Sequence, residues 1–421
     1  MAGNLRWKIV LIVFALIIID YIDRGLINAA LPVLKSEFKI SSFEAGIIGD
    51  GFTFGYLIMN PLVGYFLDKY GPKRVFTRFA ILWGAVQAIN VFAFSAFYFI
   101  VTRVLLGIGE AVGFPGVTKI VANWLRKDEK ARGGTISDSG VNLGIVFGSL
   151  FMLGLFAIIP NEELAWRLGF LVSGFLAIIL AIILGRLLYD LPEQHPKISK
   201  EELDYILSGR DSSTGGVKLQ LSSWFRNRNY WGYMQGLGAQ AGIFFGLFTW
   251  LPLYLYYARH FSLSFTLEYT AVIWSFGFIG EIVGGLVVDR LVKNNPNLGF
   301  KIGFAVSSLA VTIGLALATI ASSPIEAVEI LMVTFFFLRW SGIQWAAPSF
   351  LVPPELTGQF GGHVGFWETL WGIIVPIVFG ATVQATHAYL LGMEILIGIG
   401  LIYFIGTVVV TNYRLIKVRR D

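Results

Sequence analysis

The chain has 421 residues, 56% of them hydrophobic and 14% charged, with a mean hydropathy of +0.70. Soluble domains use about 45–50% apolar and about 25% charged residues, so this composition excludes a soluble globule and describes a polytopic membrane protein. Cysteine is absent, which removes disulfides and thiolate metal sites, and the four histidines stand far apart with no ligand spacing, so neither a metal nor a cofactor is expected.

Apolar runs near the roughly 20 residues needed to cross a bilayer recur throughout. Twelve spans are expected, beginning near Ile9, Ala45, Phe76, Phe99, Gly134, Ala165, Trp231, Glu268, Phe300, Glu326, Phe360 and Tyr389. The first lacks a small-residue cleavage site and carries Asp20, Asp23 and Arg24, so it reads as a retained span and not a signal peptide. An ionisable group at the bilayer centre costs between about 2.5 and about 17 kcal/mol, so such groups usually face a wet cavity and pair. Asp20 and Arg24, four apart, share a helix face and are expected to pair, leaving Asp23 on an adjacent face freer to titrate.

Between spans two and three stands GYFLDKYGPKR, with Gly64, Asp68, Gly71, Lys73 and Arg74. Span four, RVLLGIGEAVGFP, puts Arg103 and Glu110 seven residues apart on one face, about 10 Å along the axis, among glycines that permit close helix approach. An acid beside an arginine in a partly dehydrated cavity suits a proton site next to an anion site, because the guanidinium stays charged and grips a carboxylate with two parallel bonds. Internal ion pairs that merely hold helices together are the alternative. Lys119, near the end of this span, is expected to snorkel toward the interface. Span five contributes SDSGVNLG, with Asp138 and Asn142.

After span six the longest polar stretch divides the chain. The expected organisation is an N-terminal six-helix bundle (1–190), a linker (191–228) whose KEELDYIL piece forms an amphipathic surface helix, a C-terminal six-helix bundle (229–413) and a tail (414–421). In the second half GLVVDRLVKNNPN repeats the Gly-to-Asp interval of the first turn through Gly285 and Asp289, followed by Arg290. Two copies in register make the halves repeats, and an acid at such a turn is suited to pair with neighbouring helix termini, making and breaking as the halves rock. Buried candidates here are Glu281 in span eight, which belongs near the repeated turn, Arg339, Gln344 and Trp345 in span ten, and Glu368 and Thr369 in span eleven. Arg339 and Glu368 either neutralise each other or line a cavity.

Lysine and arginine fall mainly on one side: Arg6, Lys8, the Lys69–Arg78 and Arg126–Arg132 turns, the linker with Arg210 and Lys218, then Arg290, Lys293, Lys301 and a tail with Arg414, Lys417, Arg419 and Arg420. Positive charge is retained in the cytoplasm, so both termini are expected there, and the net +5 reflects topology and not a nucleic-acid partner.

GYFLDKYGPKR resembles the signature loop of the major facilitator superfamily, which implies two pseudo-symmetric six-helix bundles in an all-α membrane protein with alternating access. YIDR (Tyr21 to Arg24), RVLLGIGEAVGFP, WRLGF (Trp166 to Phe170), PEQHPKISKEELDYI (Pro192 to Ile206) and TWLPLYL (Thr249 to Leu255) are similar to its anion:cation symporter family, which includes galactonate, hexuronate and sialic-acid carriers. The resemblance implies proton-carrying roles for Asp23 and Glu110 and substrate-facing roles for Tyr21, Arg24, Tyr56 and Arg103. Its partners would be a small organic anion and a proton, in a monomer of the cell membrane.

Three departures stand out. Asp20 occupies a place where relatives often have a neutral polar residue, Val141 one where sugar-acid carriers tend to be polar, and Thr369 one where asparagine is commoner. A less hydroxylated or aromatic anion is therefore as compatible as a sugar acid. Organophosphate/phosphate exchange would favour a basic residue in span seven, and 230–257 has none; the drug-exporter signature is missing from span five. An enzyme would need a nucleophile or metal cluster, and a nutrient sensor an extended signalling domain after Asn412, and neither is apparent.

Overall fold

The computed structural model describes residues 3–39, 42–209 and 221–416. Part of the expected linker (210–220) and the tail residues Lys417, Arg419 and Arg420 lie outside them, as do Arg210 and Lys218.

Helices follow one another with short turns: α1 Leu5–Glu37, α2 Ser42–Tyr70, α3 Pro72–Ile89, α4 Ala96–Glu110, α5 Gly113–Trp124, α6 Lys130–Ile158, α7 Glu162–Leu187, and in the linker α8 Lys200–Ser208 and α9 Leu221–Phe225. The second half continues with α10 Arg228–Leu253, α11 Leu263–Asn294, α12 Pro296–Ile320, α13 Pro324–Leu338, α14 Pro348–Leu351, α15 Thr357–Thr386 and α16 Tyr389–Phe404. Side-chain oxygens bonded to orphan N–H groups set many starts: Ser95 caps α4, Asn161 α7, Ser262 α11 and Asn295 α12, and Ser323 with Glu326 forms a reciprocal capping box on α13. Proline stands at the first helical position of α3, α12 and α13, where its missing N–H costs nothing.

Among the described residues nine helical stretches are long and apolar enough to cross a membrane. The charges that set α1 apart from these are Asp20, Asp23 and Arg24 themselves. Apolar side chains such as Phe54, Leu150, Ile179, Ile313 and Ile377 are exposed, whereas Asp20, Asp23, Glu110 and Glu281 are completely buried. An aqueous protein distributes these the other way round.

Two expected spans are irregular. The fourth breaks between α4 and α5 at Ala111–Val112, leaving Glu110 at the end of a half-helix. The tenth continues from α13 as a 3-10 stretch, Arg339–Trp345, so that Arg339, Gln344 and Trp345 sit on a tightened turn of the kind that often marks a hinge.

The chain divides into two compact units. One comprises Met1–Arg126, Ile136–Arg210 and Pro354–Phe366, and the other Lys127–Thr135, Asp211–Pro353 and Trp367–Asp421. In the first, α3 packs along α7 and α2 along α4. A Cβ on Gly107 would stand 2.1 Å from the Phe52 carbonyl oxygen, and one on Gly55 2.2 Å from that of Val104, so paired glycines bring α2 and α4 to backbone contact. At one end of this unit Trp166 Nε1 and Arg167 Nη2 hold the Glu37 carboxylate at 2.8 and 2.7 Å, which gives the WRLGF stretch its place. In the second unit α12 packs against α13 and α16, and α11 against α13, around Phe300, Phe304, Tyr233, Tyr403 and Tyr413.

The linker helix α8 is docked and not solvated along its length. Glu202, buried, accepts from the N–H groups of Leu5 and Arg6 at 3.1 Å each and from Arg6 Nη1 at 3.0 Å, so it caps α1. Tyr205 lies under both Arg6 and Arg126.

Candidate functional site

In the first unit the charged residues of α1 and α4 converge. Arg24 is the centre of the cluster. Its Nε and Nη2 donate to Asp20 Oδ1 at 3.2 and 3.0 Å, and Nη2 also reaches Glu110 Oε2 at 3.4 Å. The guanidinium lies over Tyr21 (4.2 Å), Phe52 (4.6 Å) and Tyr56 (5.4 Å). The expected Asp20–Arg24 pair is therefore present, and Glu110 joins it from α4.

Asp23 is buried on the neighbouring face, where its Oδ1 accepts from Gln87 Nε2 at 3.0 Å and Gln87 also donates to Ser173. Among the described residues no hydrogen-bond donor reaches Asp23 Oδ2. Arg103 is 4% exposed, stacks on Phe52 at 4.9 Å, and among the described residues has no hydrogen-bond partner for Nε or Nη1. Both guanidiniums thus share the ring of Phe52. Buried donors are nearly always satisfied, so these two nitrogens are exceptions among the described residues. Asn142 is also buried in this unit.

The second unit holds the other expected site residues. Gln344 is buried; its backbone carbonyl accepts from the Tyr233 hydroxyl at 2.6 Å, and among the described residues no donor reaches its side-chain oxygen. Trp345, Glu368 and Thr369 are buried, and Glu368 acts electrostatically on the Tyr233 and Tyr403 hydroxyls. Arg339 is held by Glu281, with Nη2 at 3.0 and 2.8 Å from its two oxygens and Nε at 3.2 Å. Glu281, one turn before Gly285 on α11, is thus the acid that Arg339 grips two-handed. The cause is the close passage of α11 past α13: a Cβ on Gly280 would fall 1.8 Å from the Phe336 carbonyl oxygen.

The repeated turns have matching geometry, each within its own unit. Asp68 accepts from the N–H groups of Gly358 and Gln359 at 3.0 and 2.7 Å, at the start of α15. Asp289 accepts from those of Ala131 and Arg132 at 2.9 and 3.2 Å, at the start of α6. Each carboxylate meets the positive end of a helix. The glycine four residues earlier lets that helix come near: a Cβ on Gly64 would lie 2.5 Å from the Gly358 carbonyl oxygen, and one on Gly285 2.1 Å from Thr135 Oγ1. Gly71 takes φ 83°, open to glycine without strain, and so turns the chain from α2 into α3.

Arg74 and Arg290 are exposed, whereas Lys119 Nζ reaches Asp68 at 2.7 Å and the Pro354 carbonyl at 2.6 Å, and Arg132 Nε reaches Asp289 at 2.6 Å. Lys119 therefore does not snorkel; it neutralises a buried acid. Lys73 instead donates its N–H to Asp190 at 2.9 Å, and its ammonium lies over Tyr189. Gln87, Lys119, Arg132 and Glu37 were not singled out as site residues by sequence. A lysine within an apolar run was the one available signal.

A helical membrane protein with a buried cluster of acids and guanidiniums, and a capped turn repeated in each half, has the makings of a carrier. Residues 13–376 match the Major Facilitator Superfamily, and the chain belongs to that family. It is 28% identical over 91% of its length to a probable sulfoacetate transporter, SauU, of Cupriavidus necator, covering 89% of that protein. It is 27% identical over 92% of its length to a probable galactarate/D-glucarate transporter, GudP, of Escherichia coli, again covering 89%. The crystal structure of the human organic anion transporter MFSD10 shares the fold, with TM-score 0.72, 18% identity and coverage of 96% and 99% of the two chains. The chain is accordingly a transporter and not an enzyme, related to carriers of sugar acids and other organic anions.

Proposed function

We propose that this chain is a proton-coupled symporter that takes up a small organic anion, a carboxylate or sugar acid, by alternating access in the cell membrane. In this reading α1, α2 and the stretch from α13 to α14 complete twelve spans, both termini are cytoplasmic, and a single chain is the working unit. The linear plan of two bundles (1–190 and 229–413) around a linker (191–228) belongs to the same proposal.

The observation that carries it is the buried Arg103, whose Nε and Nη1 lack a hydrogen-bond partner among the described residues, sharing Phe52 with an Arg24 already held by two acids. Arg103 and Arg24 receive the anionic group, with Tyr21, Tyr56 and Asn142 beside them. Asp23 and Glu110 carry protons. Protonation removes negative charge next to the arginines and so favours an arriving anion, which is the reciprocal coupling symport requires. In the second unit Gln344, Trp345, Glu368 and Thr369 read the rest of the substrate. Gly64, Asp68, Gly71, Lys73 and Arg74, with Gly285, Asp289 and Arg290, form the gating turns, and the helix-capping acids release and remake their bonds as the carrier cycles.

The test is uptake of radiolabelled carboxylates, sugar acids, sulfonates and phosphates into proteoliposomes against an imposed pH gradient. Accumulation of a carboxylate that collapses with the gradient supports the reading. Accumulation only by exchange for internal phosphate, or none with any anion, overturns it.

A further inference from the structure

Arg78 on α3 and Arg186 on α7 have no part in that reading, and Arg74 meets no acid at its turn. All three are exposed, and among the described residues none makes an ion pair, hydrogen bond or ring contact. The acids close by in the chain are engaged elsewhere, Asp68 with Lys119 and the start of α15, Asp190 with the Lys73 N–H. The first turn of α3 holds no acid, so Lys73 and Arg74 lie uncompensated at its positive end. The repeated half does not copy this. Pro296 opens α12 as Pro72 opens α3, yet two and six residues on stand Leu298 and Ile302 in place of Arg74 and Arg78, with Lys301 where α3 has Thr77. The arginines are therefore not a demand of the helix turn itself.

Their surroundings are apolar. A Cβ on Gly84 would lie 2.6 Å from the Gly174 carbonyl oxygen, and one on Gly185 2.8 Å from the Thr77 methyl, so α3 and α7 run antiparallel in close contact. In an antiparallel pair the residue after each contact turns to the same side, which sets Arg78, after Thr77, beside Arg186, after Gly185. On that side the exposed residues above them are Leu82 and Ile89 on α3 and Phe175, Ile179 and Ile182 on α7. From Arg78 to Ile89, and from Arg186 back to Phe175, is eleven residues, about 16 Å of helix, roughly the hydrocarbon depth of one leaflet. Both helices belong to stretches apolar enough to cross a membrane. Tyr65 and Tyr70, exposed at the end of α2 with Lys69 over both rings, are residues of headgroup depth on the same turn.

We propose that the furrow between α3 and α7 holds an anionic phospholipid, its phosphate gripped by Arg78 and Arg186 with Arg74 beneath, and its acyl chains laid along the two apolar stripes. Guanidinium suits a phosphate because its fork donates two parallel hydrogen bonds, and basic groups at the end of a pair of spans attract anionic lipid. A zwitterionic headgroup brings its own cation against the three arginines and is disfavoured. The leaflet is the cytoplasmic one in the topology proposed above, but the site requires neither that orientation nor symport.

The test uses the purified full chain in a nonionic detergent, titrated with phosphatidylglycerol or phosphatidylcholine and followed by native mass spectrometry for bound lipid. The wild type should bind phosphatidylglycerol roughly tenfold more tightly than phosphatidylcholine. Arg78→Gln with Arg186→Gln should remove that preference, and each single change should weaken it in the same direction, so the test survives if the double variant does not purify. Arg226→Gln with Arg228→Gln, exposed cations at the start of α10, removes the same charge and should keep the preference. Inorganic phosphate at millimolar concentration should not displace the lipid. Equal binding of the two lipids by the wild type, or equal loss in both double variants, would mean diffuse attraction to charge and no site. Displacement by inorganic phosphate would mean a plain anion site, and the lipid assignment would be wrong. Because lipid binding is read without transport, either result leaves the symport reading to its own uptake assay.

Discussion

Replacing Arg103 by methionine separates a functional cation from a structural one. The side chain is buried, Nε and Nη1 have no hydrogen-bond partner among the described residues, and the guanidinium stacks on the Phe52 ring at 4.9 Å. Each buried unsatisfied donor costs about 1–3 kcal/mol, so the two together disfavour the ligand-free protein by about 2–6 kcal/mol. The cation–π contact returns about 0.5–2 kcal/mol. Methionine fills most of the volume with no polar atom, so the ligand-free variant should gain on the order of 1–4 kcal/mol, the net of those terms. The gain should be largest at acid pH, where Asp23 and Glu110 no longer need a nearby cation, and should shrink in alkali. Thermal unfolding in detergent, with and without a transported anion, measures both sides. Arg103→Met should raise the apparent Tm of the empty protein and lose the ligand-induced rise seen in the wild type. A fall in Tm at acid pH, or a ligand shift that survives, would refute the assignment of Arg103 as an anion-binding group left open by design.

Other outcomes follow from the same geometry. Glu110→Gln should abolish accumulation driven by a pH gradient while sparing exchange of substrate across equal pH, as measured by counterflow; gradient-driven uptake at the wild-type level would remove Glu110 from the proton path. Arg339→Ala removes the bidentate cation held by the fully buried Glu281 and should cost about 3–5 kcal/mol, whereas Glu281→Gln with Arg339→Met should recover most of it, checked by a double-mutant cycle on unfolding. Asp68→Ala removes the cap of α15 and the partner of Lys119, a loss of about 0.5–2 kcal/mol for the cap alone; it should lower the turnover rate more than the apparent affinity, and an effect on affinity only would place Asp68 outside the gating turn. Gly107→Ala forces a Cβ against the Phe52 carbonyl and should cost about 1–3 kcal/mol, with reduced binding because Phe52 lies beneath both arginines; undiminished anion affinity in that variant would show that the arginines tolerate a displaced α4.

Much of this molecule was legible from residue order. Hydropathy separated apolar helical stretches from polar connections, and long helices begin within a few residues of the expected span starts, because caps and prolines such as Ser95, Pro72 and Pro324 act locally. The i,i+4 pairing of Asp20 with Arg24 was readable for the same reason, since a helix repeats on a known period. So was the meaning of the repeated Gly-to-Asp interval, which puts a small residue and an acid on one face of a helix end.

What sequence spacing left open was the choice of partner across helices. Glu110 meets Arg24 from 86 residues away, Arg339 takes Glu281 from 58, and Lys119 takes Asp68 from 51. Each of these depends on which helices touch, and on glycines that let backbones approach, so no local period encodes it. Residue order determined that charges lie buried among apolar helices; tertiary packing decided which of them meet, because Coulomb attraction and hydrogen bonding act over a few ångströms of space and not along the chain.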